Sequence, residues 1–324
     1  MDKKVENQEK FKTMIGGQAL IEGILMRGPY KQAIVVRSPD GLVEKVEELR
    51  INKDKNPIAR LPLIRGVLTF FSSMYNGITA LMFSADYFPD LQEDGTPEEP
   101  SKFDKWLEKK LGSEKFQEVL IFVALIMGLA FSVGLFFLLP MLISEYVLFF
   151  IKSPVLLNLC EGVIRVALFL VYLILVSKMK DMRRVFSYHG AEHKTIRCYE
   201  AKLPLTVENV RPMTRLHPRC GTSFLFVVMI ISILVFSVFT SIITVRIKLL
   251  KVLIKLLLLP IVVGISYEIN RFVGRHDNWF TRAISFPGMW LQNFTTNEPD
   301  DSMIEVAIRS LELVMPETEG ADEW

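Results

Sequence analysis

The chain has 324 residues, of which 50% are hydrophobic and 23% are charged, and its mean hydropathy is +0.31. Apolar residues at this level predict a membrane protein with substantial polar parts. The net charge of +2 is too balanced for a nucleic-acid binder. The three cysteines are an odd number with no paired spacing, so they imply no disulfide framework and favour a reducing compartment.

The N-terminal portion, residues 1–56, is predicted to be a small glycine-rich β structure. Glycines alternate with short apolar runs between Ile15 and Arg37, and Ser38–Gly41 has the composition of a turn. No Gly-Lys-Ser/Thr follows the glycines, and their spacing differs from the dinucleotide-binding fingerprint. Tight turns therefore explain these glycines better than phosphate binding does.

Two segments connect this portion to the membrane domain. Residues 57–88 carry arginine, serine and asparagine among leucine and phenylalanine, which predicts a helix lying in the membrane interface or packed on the membrane domain. Residues 89–118 contain the acidic run Glu93–Pro100, which predicts an acidic linker and a lead-in helix.

The membrane domain is predicted to occupy residues 119–270 and to include the polar loop 178–222. Segments of bilayer length lie at Val119–Leu139, Val163–Val176 with its flanks, Phe224–Val245 and Leu249–Ile269. Met141–Ile151 is apolar but short and contains Glu145, so its part in the bilayer stays open. The sequence thus predicts about four transmembrane helices.

Basic residues predict the orientation of these helices. The loop 178–219 is rich in lysine and arginine, whereas the loop 140–162 has only one basic residue, Lys152. Positive charge favours the cytoplasmic side, so the first loop is predicted to be cytoplasmic and the second external. Both termini are then cytoplasmic, in an inner (plasma) membrane protein. Arg246, Lys248 and Lys251, in the turn between the last two spans, are exceptions to this rule.

The stretch Ser187–Thr195 holds two of the four histidines. In a helix capped by Ser187, His189 and His193 lie one turn apart on one face with Glu192 beside them. This H-x-x-E-H order is that of inverted zincins. Two such imidazoles can bind one metal ion, and the carboxylate can act as a base toward water. The alternative is a polar helix on the membrane surface with hydrated histidines.

A zinc-like divalent ion needs at least one further protein ligand. His217 and Cys220 lie where the loop re-enters the membrane, and both are competent zinc ligands, although a proline turn with an inert cysteine is the alternative. Glu268, near the cytoplasmic end of the last span, matches the downstream glutamate ligand of inverted zincins. The alternative for Glu268 is an ion pair with Arg271.

Other reaction classes fit these residues less well. A zinc deaminase needs His-x-Glu and a later pair of cysteines, and a carboxylate di-iron bundle needs Glu-x-x-His on two helices. The chain has neither pattern. A cysteine–histidine nucleophile that uses Cys198 or Cys220 stays an alternative.

Several longer motifs are Gly16–Ala19, Glu22–Arg27, Tyr188–Lys194, His217–Ser223 and Tyr267-Glu268. With these motifs the chain resembles the YqhQ-like family of bacterial membrane proteins from about Met14 to its tail. Within the cytoplasmic tail 271–324, the segment Glu298–Ala307 is similar to that family's closing helix and has an aspartate cap. The resemblance implies a predicted metal-dependent enzyme without an assigned substrate.

The sequence therefore predicts a mainly α membrane protein with a small cytoplasmic α+β portion, built from the glycine-rich N-terminus, the loop 178–222 and the C-terminal helix. The predicted function is that of a zinc-dependent hydrolase with Glu192 as catalytic base. One alternative is a non-enzymatic membrane factor that binds partner proteins through its cytoplasmic domain. Another is a transporter that uses Glu145, Glu161 and Arg165. The predicted metal ligands are His189, His193, His217, Cys220 and Glu268.

Overall fold

The computed structural model describes residues 11–49, 57–88, 113–147, 149–242, 247–276, 278–318 and 320–323. Most of the predicted linker 89–118 lies outside the described residues. The chain divides into two compact units. The first contains the described residues of Met1–Phe88, Leu173–Ser232 and Leu259–Trp324, and the second those of Pro89–Tyr172 and Ile233–Leu258.

A four-stranded antiparallel sheet lies in the first unit and confirms the β structure predicted near the N-terminus. Its strands are paired in chain order: β1 (Gly16–Leu20), β2 (Gly23–Arg27), β3 (Lys31–Ser38) and β4 (Gly41–Glu48). Ser38 pairs with Gly41 across the predicted turn. Gly41 has a φ of +128°, which is a backbone conformation that glycine adopts without strain.

Helices form most of the described chain. A 3₁₀ turn at Pro57–Arg60 precedes the first of them, and a π-helical turn at Gly134–Leu138 joins the second to the third. In chain order they are α1 (Ile64–Ala85), α2 (Ser113–Val133), α3 (Leu139–Val147), α4 (Pro154–Ser177), α5 (Lys180–Glu200), α6 (Val207–Val210), α7 (Gly221–Ile242), α8 (Lys248–Arg275), α9 (Trp279–Thr295) and α10 (Asp301–Glu312).

Different helices cover the two faces of the sheet. Ile24 and Val35 belong to a core that includes residues of α5 and α10. Leu25 and Ile34, on the opposite face, pack with Ala80 of α1. Because both faces are buried, the central strands are continuous apolar runs instead of an apolar–polar alternation.

Five stretches among the described residues are long and apolar enough to cross a membrane. They are Ile64–Ala85, Ile126–Val147, Val155–Ser177, Gly221–Phe239 and Leu250–Arg275. By length and composition the chain is therefore a multi-pass membrane protein of a lipid bilayer. The predicted count of four is one short of these five candidates, because Ile64–Ala85 in α1 also qualifies.

The first candidate after α1 is shifted relative to the sequence prediction. Helix α2 continues through the π-helical turn into α3, so the candidate is Ile126–Val147 where Val119–Leu139 was predicted. It therefore includes most of the segment Met141–Ile151 that the sequence left open. Pro140 closely follows the π-helical turn, and prolines and π-helical turns are both sites where a continuous helix departs from regular α geometry.

The second unit contains a buried ionic cluster between α4 and α8. Arg165 and Lys255 both donate to the same carboxylate oxygen of Glu161, at 2.8 and 2.5 Å. Arg165 also donates to the carbonyl of Phe136 in the π-helical turn, at 2.7 Å. The three charged residues are 5–6% exposed. Glu161 and Arg165, two of the residues considered for transport, are thus paired with other protein groups: Glu161 with two basic side chains, and Arg165 with Glu161 and a backbone carbonyl.

Candidate metal centre

Helix α5 carries the predicted histidine motif on a helix that begins earlier than expected. It begins at Lys180, so Ser187 is not its N-cap. The Ser187 hydroxyl instead donates to the carbonyl of Arg183 within the helix, at 3.1 Å. Residues 190–196 are all buried, although most of the helix is polar. These polar side chains therefore need partners inside the protein.

Basic side chains and a histidine of α5 bind the loop that leads to Cys220. Lys194 Nζ donates to the carbonyl of Arg211 at 2.9 Å, and Arg197 donates to the carbonyl of Leu216 at 2.8 Å. The Nδ1 of His193 lies 2.5 Å from the carbonyl oxygen of Arg215. These contacts pair the buried Lys194 and His193 and the half-buried Arg197 with backbone carbonyls, and they fix the loop against the helix.

Gly190 allows the chain after α9 to cross α5 closely. A Cβ at this position would lie 2.0 Å from the carbonyl oxygen of Asn297. The Asn297 N–H donates to the carbonyl of Phe186 at 2.8 Å, which fixes the crossing. The same crossing brings the carbonyl of Thr295 to His189.

His189, His193 and Cys220 converge at this point. One ligand atom from each, a ring nitrogen of each histidine and the cysteine Sγ, lies within 4.8 Å of the others. The Nε2 of His189 is 3.2 Å from Cys220 Sγ, and the two imidazole centroids are 4.4 Å apart. The one-turn spacing on α5 accounts for the pair of histidines, and the start of α7 supplies the cysteine.

Backbone carbonyls orient both histidines of the cluster. His189 Nδ1 is 2.8 Å from the Thr295 carbonyl, and His193 Nδ1 is 2.5 Å from that of Arg215. A carbonyl oxygen only accepts, so Nδ1 donates its proton in both rings and Nε2 is turned toward the cluster. Histidines that bind metal ions are commonly held in this way.

The three groups change one another's charge state. Burial would raise the pKa of the Cys220 thiol, but His189 and His193 bring it well below its ordinary value. Burial would lower the pKa of His189, but Cys220 raises it to about 9. Both shifts favour the thiolate of Cys220, which is the form of cysteine that binds metal ions or attacks electrophiles.

Glu192 approaches the cluster from its flank. Its Oε1 accepts the N–H of Gly17 at 2.9 Å, whereas its Oε2 is buried and has no hydrogen-bond partner among the described residues. Burial raises the pKa of Glu192, against the lowering effect of the two histidines. A buried carboxylate oxygen without a protein partner is costly, so it marks a place for water or a ligand.

Gly17 explains part of the glycine-rich run differently from the sequence prediction. It lies within β1 and not in a tight turn, and a Cβ there would come within 2.6 Å of the Leu25 carbonyl oxygen and 3.1 Å of the Glu192 carboxyl carbon. Gly28 is similar, because a Cβ would lie 2.4 Å from the carbonyl oxygen of Val314. Close packing, not turn geometry, requires glycine at both positions.

A cavity of about 340 Å³ adjoins the cluster. Glu192, His193 and Cys220 line it, together with polar side chains from the sheet and from α1. Those polar side chains include Gln18, Arg27, Gln32, Ser73 and Asn76. A small polar molecule can therefore lie next to Glu192 and the ligand atoms.

His217 lies behind His193 and is not one of the converging ligand atoms. The two ring centroids are 5.5 Å apart, and His217 Nε2 is 3.5 Å from the carboxylate of Glu200. Gln292 holds the backbone of His217 from both sides, since it accepts the N–H and donates to the carbonyl, each at 2.7 Å. Burial lowers the pKa of His217 to about 4, so its ring is neutral at pH 7.

The structure does not bring Glu268 to the cluster. Its carboxylate accepts two hydrogen bonds from Arg65, one of them 2.6 Å long. Glu268 therefore forms an ion pair, as the alternative interpretation of the sequence predicted. Its partner, however, is Arg65 of α1 and not the predicted Arg271. The close packing of α1 on α8 is the reason, because a Cβ at Gly66 would lie 2.7 Å from Tyr267.

Cys198, the other cysteine considered as a nucleophile, lies outside the cluster. It packs with Val210 and Ile304 in a small core, and its thiol contacts the carbonyl of Pro204. Burial raises the pKa of this thiol. Cys198 thus has the surroundings of an inert structural cysteine.

Comparison with known proteins gives a family but no activity. The family model described as "Protein of unknown function (DUF1385)" matches residues 61–317. The Bacillus subtilis (strain 168) protein "Uncharacterized protein YqhQ" is 32% identical over 307 residues, which cover 94% of this chain and 93% of that protein. No solved structure matches the chain. Neither match supports the metal-dependent activity that the resemblance implied, but both confirm the resemblance itself: the chain belongs to the YqhQ-like family described as DUF1385.

Proposed function

We propose that the chain is a metal-dependent hydrolase of the membrane, with His189, His193 and Cys220 as metal ligands and Glu192 as general base. One observation carries the proposal: three ligand atoms converge beside a buried carboxylate oxygen that has no partner among the described residues. Zinc is the expected ion, because imidazole nitrogens and a thiolate suit it. Three protein ligands also leave a fourth position for water or substrate, as in catalytic zinc sites.

A divalent ion at this position would supply Lewis acidity for the attack of water on a substrate. The remaining tasks belong to the chain's own residues. Glu192 Oε2 accepts the proton of the attacking water, while the Gly17 N–H holds Oε1 and so fixes the direction of the carboxylate. The cavity beside Glu192 gives the substrate room.

A second candidate uses the same residues without a metal ion. The 3.2 Å contact between His189 and Cys220, and the charge state of that pair, favour a thiolate nucleophile assisted by an imidazolium. A docking factor and a transporter stay alternatives, but the buried partnerless oxygen of Glu192 favours chemistry at this site.

We further infer that the site faces the cytoplasm, as the basic loop 178–219 suggests. The sheet, α5 and α10 share one core, so all three lie on one side of the membrane. An even number of crossings must then separate residues 48 and 180, but three candidate spans lie between them. The non-crossing one is taken to be α1, because it is the least apolar of the five and packs Ala80 on the sheet. Four spans and cytoplasmic termini follow.

Metal analysis of the detergent-purified protein tests the proposed function. The wild-type chain is expected to retain about one zinc ion, and His189→Ala, His193→Ala and Cys220→Ser are each expected to lose it. His276→Ala is the matched control, because His276 is exposed and outside the cluster. This control is expected to keep the metal.

Two results would contradict the metal proposal. Retention of zinc by the His189→Ala, His193→Ala double variant would move the site elsewhere. A wild-type protein without metal, whose Cys220 is alkylated rapidly at neutral pH, would favour the thiolate nucleophile. A chain with Cys160→Ser and Cys198→Ser keeps only Cys220, so rapid alkylation that persists in it identifies Cys220 as the reacting cysteine.

A further inference from the structure

Helix α9 turns a polar side inward and an aromatic side outward. Trp279 is 80% exposed, Phe286 65% and Trp290 47%. These positions are separated by seven and four residues, so they share one face of the helix. The buried positions of the helix are Thr281, Ser285, Gly288, Leu291, Gln292 and Thr295.

This arrangement is the reverse of a helix that covers a core and faces water. Such a helix buries its apolar stripe and exposes its polar one. Large aromatic side chains on an outward face mark contact with a membrane or another protein. Arg282 and Asn293 are also exposed along the helix, and aromatic residues mixed with arginine are typical of helices that lie in the lipid–water interface.

The neighbours of α9 are themselves candidate membrane helices. The helix begins shortly after α8 ends at Arg275. Its Gly288 packs against the start of the candidate span Gly221–Phe239, since a Cβ there would lie 2.4 Å from the Cα of Ser223. With 17 residues, α9 is about 25 Å long, which is too short to cross the hydrocarbon core of about 30 Å. Contact of its outward face with lipid would therefore not make α9 another span.

The inward face of α9 contacts the candidate metal centre. The Thr295 carbonyl accepts the proton of His189 Nδ1, and Gln292 holds the backbone of His217. One helix thus carries both the outward aromatic face and two contacts that position histidines. The aromatic face and the contacts with the histidines are therefore separated by the thickness of one helix, about 10 Å.

We propose that α9 lies in the lipid–water interface, with Trp279, Phe286 and Trp290 in contact with the bilayer, so that the candidate metal centre is at the level of the lipid headgroups. The occupant of the aromatic face is then lipid and not a second protein. This assignment goes beyond the proposed function and does not depend on a bound metal ion. A substrate of the site would reach it from the headgroup region.

Tryptophan fluorescence in lipid nanodiscs tests this proposal. The chain has four tryptophans, and Trp106→Phe with Trp324→Phe leaves those of α9. Lipids brominated near the headgroup are expected to quench this fluorescence more than lipids brominated near the bilayer centre, because an interfacial helix lies at a shallow depth. Aqueous acrylamide is expected to quench it only weakly.

A matched control places a tryptophan on the sheet. Leu42 is 45% exposed on β4, so Leu42→Trp in a chain without its native tryptophans is expected to be quenched by acrylamide and not by brominated lipid. Strong acrylamide quenching at Trp279 and Trp290 would overturn the proposal, because the face would then be in water. Quenching by neither agent would also overturn it, because a protein would then cover the face. Neither result bears on metal content, so the two proposals can fail separately.

Discussion

Glu192 and Glu200 lie on the same helix but differ in how their carboxylates are bound. Glu200 accepts from the backbone N–H of Thr13 and from Arg219, and its other oxygen lies beside His217. Glu192 has one oxygen on Gly17 and one without a partner among the described residues. Of the two, only Glu192 can accept a proton without first losing an ion pair.

Substitution of Glu192 by glutamine tests its role as a base. The amide keeps the size of the side chain and can still accept the Gly17 N–H, but it cannot take a proton. We expect Glu192→Gln to fold, to keep its metal and to lose cellular function, with a fall in reaction rate of about 100-fold or more once a substrate is known. Metal analysis and complementation of a deletion strain measure the two properties.

Glu305→Gln is the control for this substitution, because its side chain is 63% exposed and remote from the cluster. It is expected to behave as the wild type. A Glu192→Gln protein that complements as well as the wild type would exclude the catalytic role. Any metal present would then be structural.

The ligand residues could be predicted from the sequence only where side-chain chemistry marks them. His189 and His193 were predicted as a pair, with His217, Cys220 and Glu268 as open candidates for a further ligand, and of these three the structure brings Cys220 to the pair. His217 and Glu268 are also competent metal ligands, but they have other neighbours in the structure. His217 lies beside Glu200, and Glu268 accepts from Arg65; neither contact could be predicted without the packing. The orienting groups, carbonyls of Thr295 and Arg215, are backbone atoms, which every residue has, so no sequence pattern marks them.

At the scale of elements, the position of α5 depends on the close crossing at Gly190. In an isolated helix this glycine is unfavourable relative to alanine by about 1 kcal/mol. In the folded chain it is required, because the Asn297 carbonyl occupies the space of a Cβ. The tertiary contact therefore outweighs helix propensity at this position.

Gly190→Ala is expected to destabilise the protein by about 1 to 3 kcal/mol, because α5 and the chain at Asn297 must separate. The separation also moves the Thr295 carbonyl from His189, so weaker metal binding is expected. Gly128→Ala is the control: nothing lies within 4 Å of a Cβ there, so no loss of stability is expected. Thermal unfolding in detergent compares the two. Equal melting temperatures for both variants would contradict the account of the crossing.

The ionic cluster of α4 and α8 makes a second prediction at this scale. Glu161→Gln leaves Arg165 and Lys255 buried with no carboxylate between them, and we expect a loss of about 3 to 5 kcal/mol. Adding Lys255→Gln removes one uncompensated charge and is expected to restore part of the stability. Thermal unfolding of the single and double variants measures this. A double variant less stable than Glu161→Gln would contradict a structural role for the cluster.

Element boundaries could be predicted from the sequence where turn residues or a capping residue mark them. The turn at Ser38–Gly41 and the aspartate-capped C-terminal helix were predicted, and Asp300 accepts from the Met303 N–H at 2.9 Å. The helix α2–α3 was not, because Pro140 and Glu145 interrupt the apolar pattern although the helix continues. The start of α5 at Lys180 was not predicted. Arg184, near this start, forms an ion pair with Glu22, which is distant in sequence.

At the scale of the whole molecule, the core around the site joins three distant parts of the chain. Residues of β2, α5 and α10 pack in one cluster, with Ile24, Tyr188 and Val306 among its members. The sequence predicted that these three parts form one α+β portion, but not the packing within it. That shared core also constrains the topology, since its three parts must lie on one side of the membrane.

Cysteine labelling from outside intact cells tests the proposed topology of four spans. Single probes are introduced by Leu42→Cys, Asp86→Cys, Ser153→Cys and Lys202→Cys, in a chain that carries Cys160→Ser. Only the probe at Ser153 is expected to react, because it follows the span Ile126–Val147 and precedes Val155–Ser177. The positions 42 and 86 flank α1, so they react alike if α1 does not cross. Lys202 follows α5 and shares the side of the sheet.

Permeabilised cells provide the control, in which all four exposed probes should be labelled. Labelling of the probe at Asp86 but not at Leu42 from outside would mean that α1 crosses, and the shared core would then require another candidate span to stay on one side. Labelling at Lys202 would reverse the orientation. Cys220 would then face an oxidising compartment, where a thiolate next to His189 is prone to oxidation, and a metal site would be harder to sustain there.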